Sequence, residues 1–197
     1  MKRIVALVGA GLLVLLTGCS QMTSAASVGG TDISITTVQK SIDTILAERA
    51  KVSTSGMTLD TGETLNRSEL RFHLISLLLA DVAAEKKLVV TPAEVQARRA
   101  SIVAQVGGEA ALPKALVGAG IASIDFPMYL NSVLYSEKLT ALAVSQGATT
   151  ANAGTAIQAY VVATAKRLKV TVNPRYGKWD PVAANVVAVD TTAGAVQ

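Results

Sequence analysis

Residues 66–88 read NRSELRFHLISLLLADVAAEKKL, and the middle of the stretch, Leu74-Ile75-Ser76-Leu77-Leu78-Leu79, is apolar at all but one position. Wound at 3.6 residues per turn, Leu70, Leu74, Leu77 and Leu78 share one face, while Ile75, Leu79 and Val82 lie on the other side. Charge is confined to the ends, at Glu69, Arg71, Glu85, Lys86 and Lys87. A helix that is apolar nearly all round belongs in the middle of a bundle with helices on both flanks. It is too short and too charged to favour a membrane span, which needs roughly 20 predominantly apolar residues. The expectation is a mainly α fold: a helical bundle around this long central helix, with a small β element formed by N- and C-terminal strands. The helix is expected to carry architecture and no chemistry. Asn66 reads as its N-cap, with Glu69 completing a box-like pattern.

Outward toward the C-terminus, Thr91-Pro92-Ala93-Glu94 is a helix start by three criteria: a Thr cap, Pro at the first helical position, and Glu closing a capping box. The spacing predicts helices over 92–106, 109–117, 123–145 and 154–168, punctuated by Gly107-Gly108, Gly118, Gly120 and Gly147. The period then changes, and Lys169-Val170-Thr171-Val172 alternates as a strand does. Toward the N-terminus, Val38, Ile42, Ile45 and Leu46 give a helix capped by Thr36 or Thr37, and Gly29-Gly30 between β-prone pieces suits a tight hairpin. The strand at 169–172 is expected to pair with the segment around 28–35, because an isolated hairpin is marginal in water.

The chain opens with Lys2 and Arg3, an apolar run from Ile4 to Leu16, and Leu16-Thr17-Gly18-Cys19. This is the anatomy of a secretory signal ending in a lipobox. Residues 1–18 are expected to be a lipoprotein signal peptide, with Cys19 the site of lipid attachment. Residues 19–27 then read as a lipidated tether, 28–181 as the folded domain and 182–197 as a loosely ordered tail. With one cysteine there is neither an internal disulfide nor a Cys-based zinc cluster. The formal net charge is +4, and no basic run is interleaved with aromatics, so no nucleic-acid partner is expected. The chain lacks G-x-S-x-G, P-loop and H-E-x-x-H patterns, so no catalytic residue, cofactor or metal is expected. His73, the one histidine, has no Cys partner and reads as a helix-surface or core-edge residue.

The ordered series Val28-Gly29-Gly30-Thr31-Asp32-Ile33, a helix, a long apolar helix and Leu88-Val89-Val90-Thr91-Pro92-Ala93-Glu94-Val95 resembles the N-terminal helical domain of the SurA / PrsA periplasmic foldases. Gly29 stands where that family usually has Asn. Asn173-Pro174-Arg175-Tyr176-Gly177-Lys178-Trp179 looks like the ending of actinobacterial lipoproteins of the group. The resemblance spans roughly residues 28–181. It implies a helical chaperone domain whose apolar grooves hold unfolded clients. Many members carry a parvulin-type prolyl isomerase domain, which needs about a hundred residues and paired histidines. Here one helical stretch, 154–168, fills the corresponding place, and only His73 is present.

The reading that follows is a membrane-anchored extracytoplasmic chaperone-like lipoprotein, located in the bacterial cell envelope, that binds unfolded or exported polypeptides without catalysis. Its rivals are a divergent peptidyl-prolyl isomerase or hydrolase, and a structural lipoprotein docking one dedicated partner. The client groove is expected between the helices at 92–106 and 123–145. Leu116, Met128, Tyr176 and Trp179 are the candidate client or partner contacts, each weighed against an ordinary packing role.

Overall fold

A computed structural model of the chain describes residues 23–189. The strands β1 (Ser24–Val28) and β2 (Thr31–Ser34) lead into α1 (Ile35–Arg49), the long α2 (Gly62–Glu85), α3 (Pro92–Gln105) and α4 (Leu112–Ala119). A single 3₁₀ turn (Ser123–Asp125) then feeds α5 (Phe126–Ser145) and α6 (Ala153–Leu168), followed by β3 (Thr171–Val172), β4 (Lys178–Asp180) and β5 (Asn185–Val187). The fold is mainly α, with its small sheets built from segments near the two ends of the described chain. No helix among the described residues is long and apolar enough to cross a membrane.

The central helix begins one turn earlier than Asn66, with Thr61 in the N-cap position. The added turn buries Leu65, which offsets the ordering of Gly62. Asn66 is therefore an interior residue. Leu70, Leu74 and Leu78 are fully buried, and α2 packs against α1, α5, α6, β1 and β5. At α1 the cap is Ser34, whose Oγ accepts from the Thr37 backbone N–H at 2.9 Å. At α3 the capping box forms as read: Glu94 N–H donates to Thr91 Oγ1 at 3.3 Å, and Thr91 N–H donates to Glu94 Oε2 at 2.7 Å.

The three-stranded sheet has the order β2-β1-β3, both pairings antiparallel. The partner of β3 is β1, with Ala26 opposite Val172 and Ser27 opposite Thr171. Gly29 and Gly30 both take positive φ in the β1–β2 turn, and Gly29 N–H donates to the Leu168 carbonyl at 2.8 Å. A Cβ at Gly29 would lie 3.0 Å from Leu168 Cδ2, so the close approach of α6 favours glycine over asparagine here.

Two boundaries differ from the sequence reading. The segment read as a tether contributes β1, whose Ala25 and Ala26 are buried because the strand lies on α2. The segment read as a loose tail contributes β5, with Ala184 and Val186 buried against the same core. Both segments are rich in small and β-branched residues, which look weakly structured in isolation and pack well once a helix offers a surface. At Gly177 (φ 127°) a Cβ would sit 2.2 Å from the Val187 carbonyl oxygen, so the β4–β5 approach requires glycine.

Candidate functional site

Helices α2 and α5 meet at two serines. Ser132 Oγ lies 2.9 Å from Ser76 Oγ and 3.0 Å from the Met128 carbonyl. Small side chains at this contact leave a cleft on either side of it. One, of about 500 Å³, is walled by Phe72, Ile75, Tyr129 and Val133, with Arg71 and Glu137 at its margin. The other, of about 510 Å³, is walled by Ile33, Leu77, Met128 and Tyr135, with His73 in its lining. A third and more polar cleft, of about 380 Å³, is lined by Arg49, Asp60, Ser68 and Glu69, and shares Phe72 and Tyr129 with the first.

Between the clefts lies a buried polar cluster. Glu69 and His73 stand four residues apart on α2 and so share a face. Ser41 reaches His73 from α1, and Asp125 joins from the residue preceding α5. All four are buried. Ser41 Oγ lies 3.0 Å from His73 Nε2 and donates to the Thr37 carbonyl at 3.3 Å, which leaves its lone pairs to accept from His73 in the tautomer protonated at Nε2. Asp125 Oδ2 is 3.9 Å from the same Nε2 and has no hydrogen-bond partner. Asp125 occupies the N-cap position of α5, yet its side chain makes no capping hydrogen bond. Burial, seconded by the Asp125 charge, pushes Glu69 up to about 7; Arg49 opposes that shift and Asp60 adds to it. Burial lowers His73 below the usual imidazole value, against the pull of Asp125.

Ser41, His73 and Asp125 share the residue types of a hydrolase triad but not its wiring. In a triad the carboxylate holds Nδ1 while Nε2 faces the serine. Here serine and aspartate both face Nε2, and Ser41 is only 1% exposed, out of reach of a substrate. What the cluster offers instead is a convergent donor set: one atom each from Glu69, His73 and Asp125, all within 4.8 Å of one another.

The residues singled out from sequence are dispersed. Cys19 lies outside the described residues. Leu116 is buried with Leu112, Phe126 and Leu130 in a second small core, supported by Val95, Ile102 and Val103 of α3. The groove expected between α3 and α5 is therefore filled, because α4 folds back into it. Tyr176 is buried in the main core and Trp179 packs half-buried against it, so both anchor the C-terminal hairpin onto the helices. Burial raises the Tyr176 phenol above its ordinary value. Met128, by contrast, lines an open cleft.

Conversely, the helix expected to lack chemistry carries both cleft walls and two members of the polar cluster. His73 is a core residue with carboxylate neighbours, and Glu69 is buried, not a solvated helix-end charge. A signal was present: Glu69, His73 and Ser76, at i, i+4 and i+7, form a polar stripe on an otherwise apolar helix. No spacing pointed to Asp125 or Ser41. Comparison with protein-family models, with curated proteins and with solved structures gives no match.

Proposed function

We propose that this chain is a lipid-anchored extracytoplasmic chaperone-like protein that holds apolar segments of unfolded or exported polypeptides without catalysis. The observation that carries the reading is the pair of open apolar clefts flanking the α2–α5 contact. Each has the volume of an ordinary ligand site, which runs about 300–1,000 Å³. Their walls mix aromatic, aliphatic and Met side chains, which adapt to varied sequences and give weak, salt-insensitive binding. The basic start, apolar run and lipobox at Cys19 support anchoring to the outer face of a bacterial membrane, with a tether too short to carry the domain far from it. A dedicated partner docking on the same clefts is the alternative.

The full chain should suppress aggregation of an unrelated unfolded protein at near-stoichiometric ratio without ATP. Met128→Lys and Val133→Lys place a charge in each cleft at partly exposed positions and should together abolish the effect while the helical circular dichroism is retained. Suppression unchanged in the folded double variant, or absent in the wild type, removes the chaperone reading in favour of the dedicated-partner one.

A further inference from the structure

We infer that Glu69, His73 and Asp125 form a binding site for a divalent first-row transition-metal ion, with Zn²⁺ the best-suited probe. An imidazole nitrogen with two carboxylate oxygens is a donor set such ions accept, and three protein ligands leave a fourth position for water. The donor atoms lie within 4.8 Å of one another, and His73 Nε2 and Asp125 Oδ2 are 3.9 Å apart. Donors around a tetrahedral zinc ion lie roughly 3.3 Å apart given bond lengths near 2.0–2.2 Å. Side-chain rotations that shift the donors by up to about 1.5 Å therefore close the set.

An observation independent of the clustering points the same way. Asp125 Oδ2 is buried, faces the cluster and lacks any hydrogen-bond partner. A buried carboxylate oxygen left unpaired costs free energy that a cation would recover. The charges agree. The acidic groups of Glu69 and Asp125, with Asp60 also acting on Glu69, face one guanidinium, Arg49, which donates to the Asp60 backbone carbonyl at 2.7 Å. The cluster thus has room for added positive charge. Ser41 already reaches the Thr37 carbonyl, so its hydroxyl can stay bonded when Nε2 gives up its proton to coordinate. Entry is open from two sides, through the cleft that reaches Glu69 and the one that reaches His73. The ion would tie α2 to the start of α5, the two helices that wall the clefts.

The test is Zn²⁺ titration of the chelator-stripped full chain by calorimetry, alongside Glu69→Gln and Asp125→Asn. Wild type should bind one ion and gain melting temperature. Each variant should bind more than about 100-fold more weakly, beyond the 10–100-fold that loss of an outer-shell partner costs. Equal binding in folded variants, or no binding in the wild type, overturns the site. Should a variant not fold, the visible spectrum of the Co²⁺-loaded wild type decides. A tetrahedral nitrogen–oxygen spectrum supports the site, and a thiolate charge-transfer band, which would implicate Cys19, overturns it.

Discussion

Glu69 is the residue on which the interior is most finely balanced. Its carboxyl lies among Asp125, Asp60, Arg49 and His73, and burial raises it to about 7 from an ordinary 4.5. An acid whose folded value is raised binds more protons in the native state, so its stabilising contribution is complete below pH 4.5 and is lost as pH rises through 7. His73, lowered by burial, acts in the opposite sense: its contribution is present above its unfolded value of 6.5 and is lost as the solution becomes more acid. Between about pH 6.5 and 8 the Glu69 effect stands alone among the two. In chelator-treated protein, Glu69→Gln should remove it. The stability gap in favour of the variant should widen over that window by about 1 kcal/mol, the last part of about 3 kcal/mol spread between about pH 4.5 and 8. Denaturant unfolding at several pH values measures the gap, and a pH-independent gap would count against the buried-acid account.

At the scale of elements, the chain's ends matter more than their composition suggests. β3 completes the sheet by pairing with β1, and Asn173 Nδ2 donates to the Ser24 carbonyl at 3.0 Å. β4, β5 and the turn between them add Trp179, Ala184 and Val186 to the main core beside Tyr176. Truncation after Leu168 therefore strips a strand and several buried side chains, and should lower the melting temperature of the whole domain. Since burial of one large apolar side chain contributes about 1.5–3 kcal/mol, the loss approaches the total stability of an ordinary domain. An unchanged melting curve would show the C-terminal segment to be an ornament. Helix α3 is held differently. None of its residues is fully buried, and its polar face is tied by Lys138 to Glu94 at 2.5 Å, by Arg98 to Glu137 and by Arg99 to Glu109 at 2.5 Å. Such exposed pairs are worth little each, so α3 rests mainly on the half-buried Val95, Ile102 and Val103.

At the scale of the whole molecule, one helix serves as axis, cleft wall and polar platform, and the proposed anchor lies upstream of β1. Cys19→Ala should leave an unprocessed precursor and abolish incorporation of acyl label in a bacterial host. Normal labelling of that variant would defeat the lipoprotein reading while leaving the clefts and the polar cluster untouched.

What the amino-acid sequence determined is whatever is decided within a few residues. The 3.6-residue periodicity of 66–88, the Thr91–Glu94 box and the Gly29-Gly30 turn rest on i to i+4 contacts and local dihedral preferences, so each is visible in the chain itself. The helix boundaries drifted by a turn where a distant surface, as at Leu65, rewarded extra winding. Only the tertiary structure decided which polar groups share the interior. Ser41, His73 and Asp125 are brought together by the way α1, α2 and the start of α5 pack, and that packing follows from side-chain volumes summed over many contacts. The same packing moved the open clefts from α3–α5 to α2–α5, because the small serines at 76 and 132 let two helices touch while α4 filled the other gap.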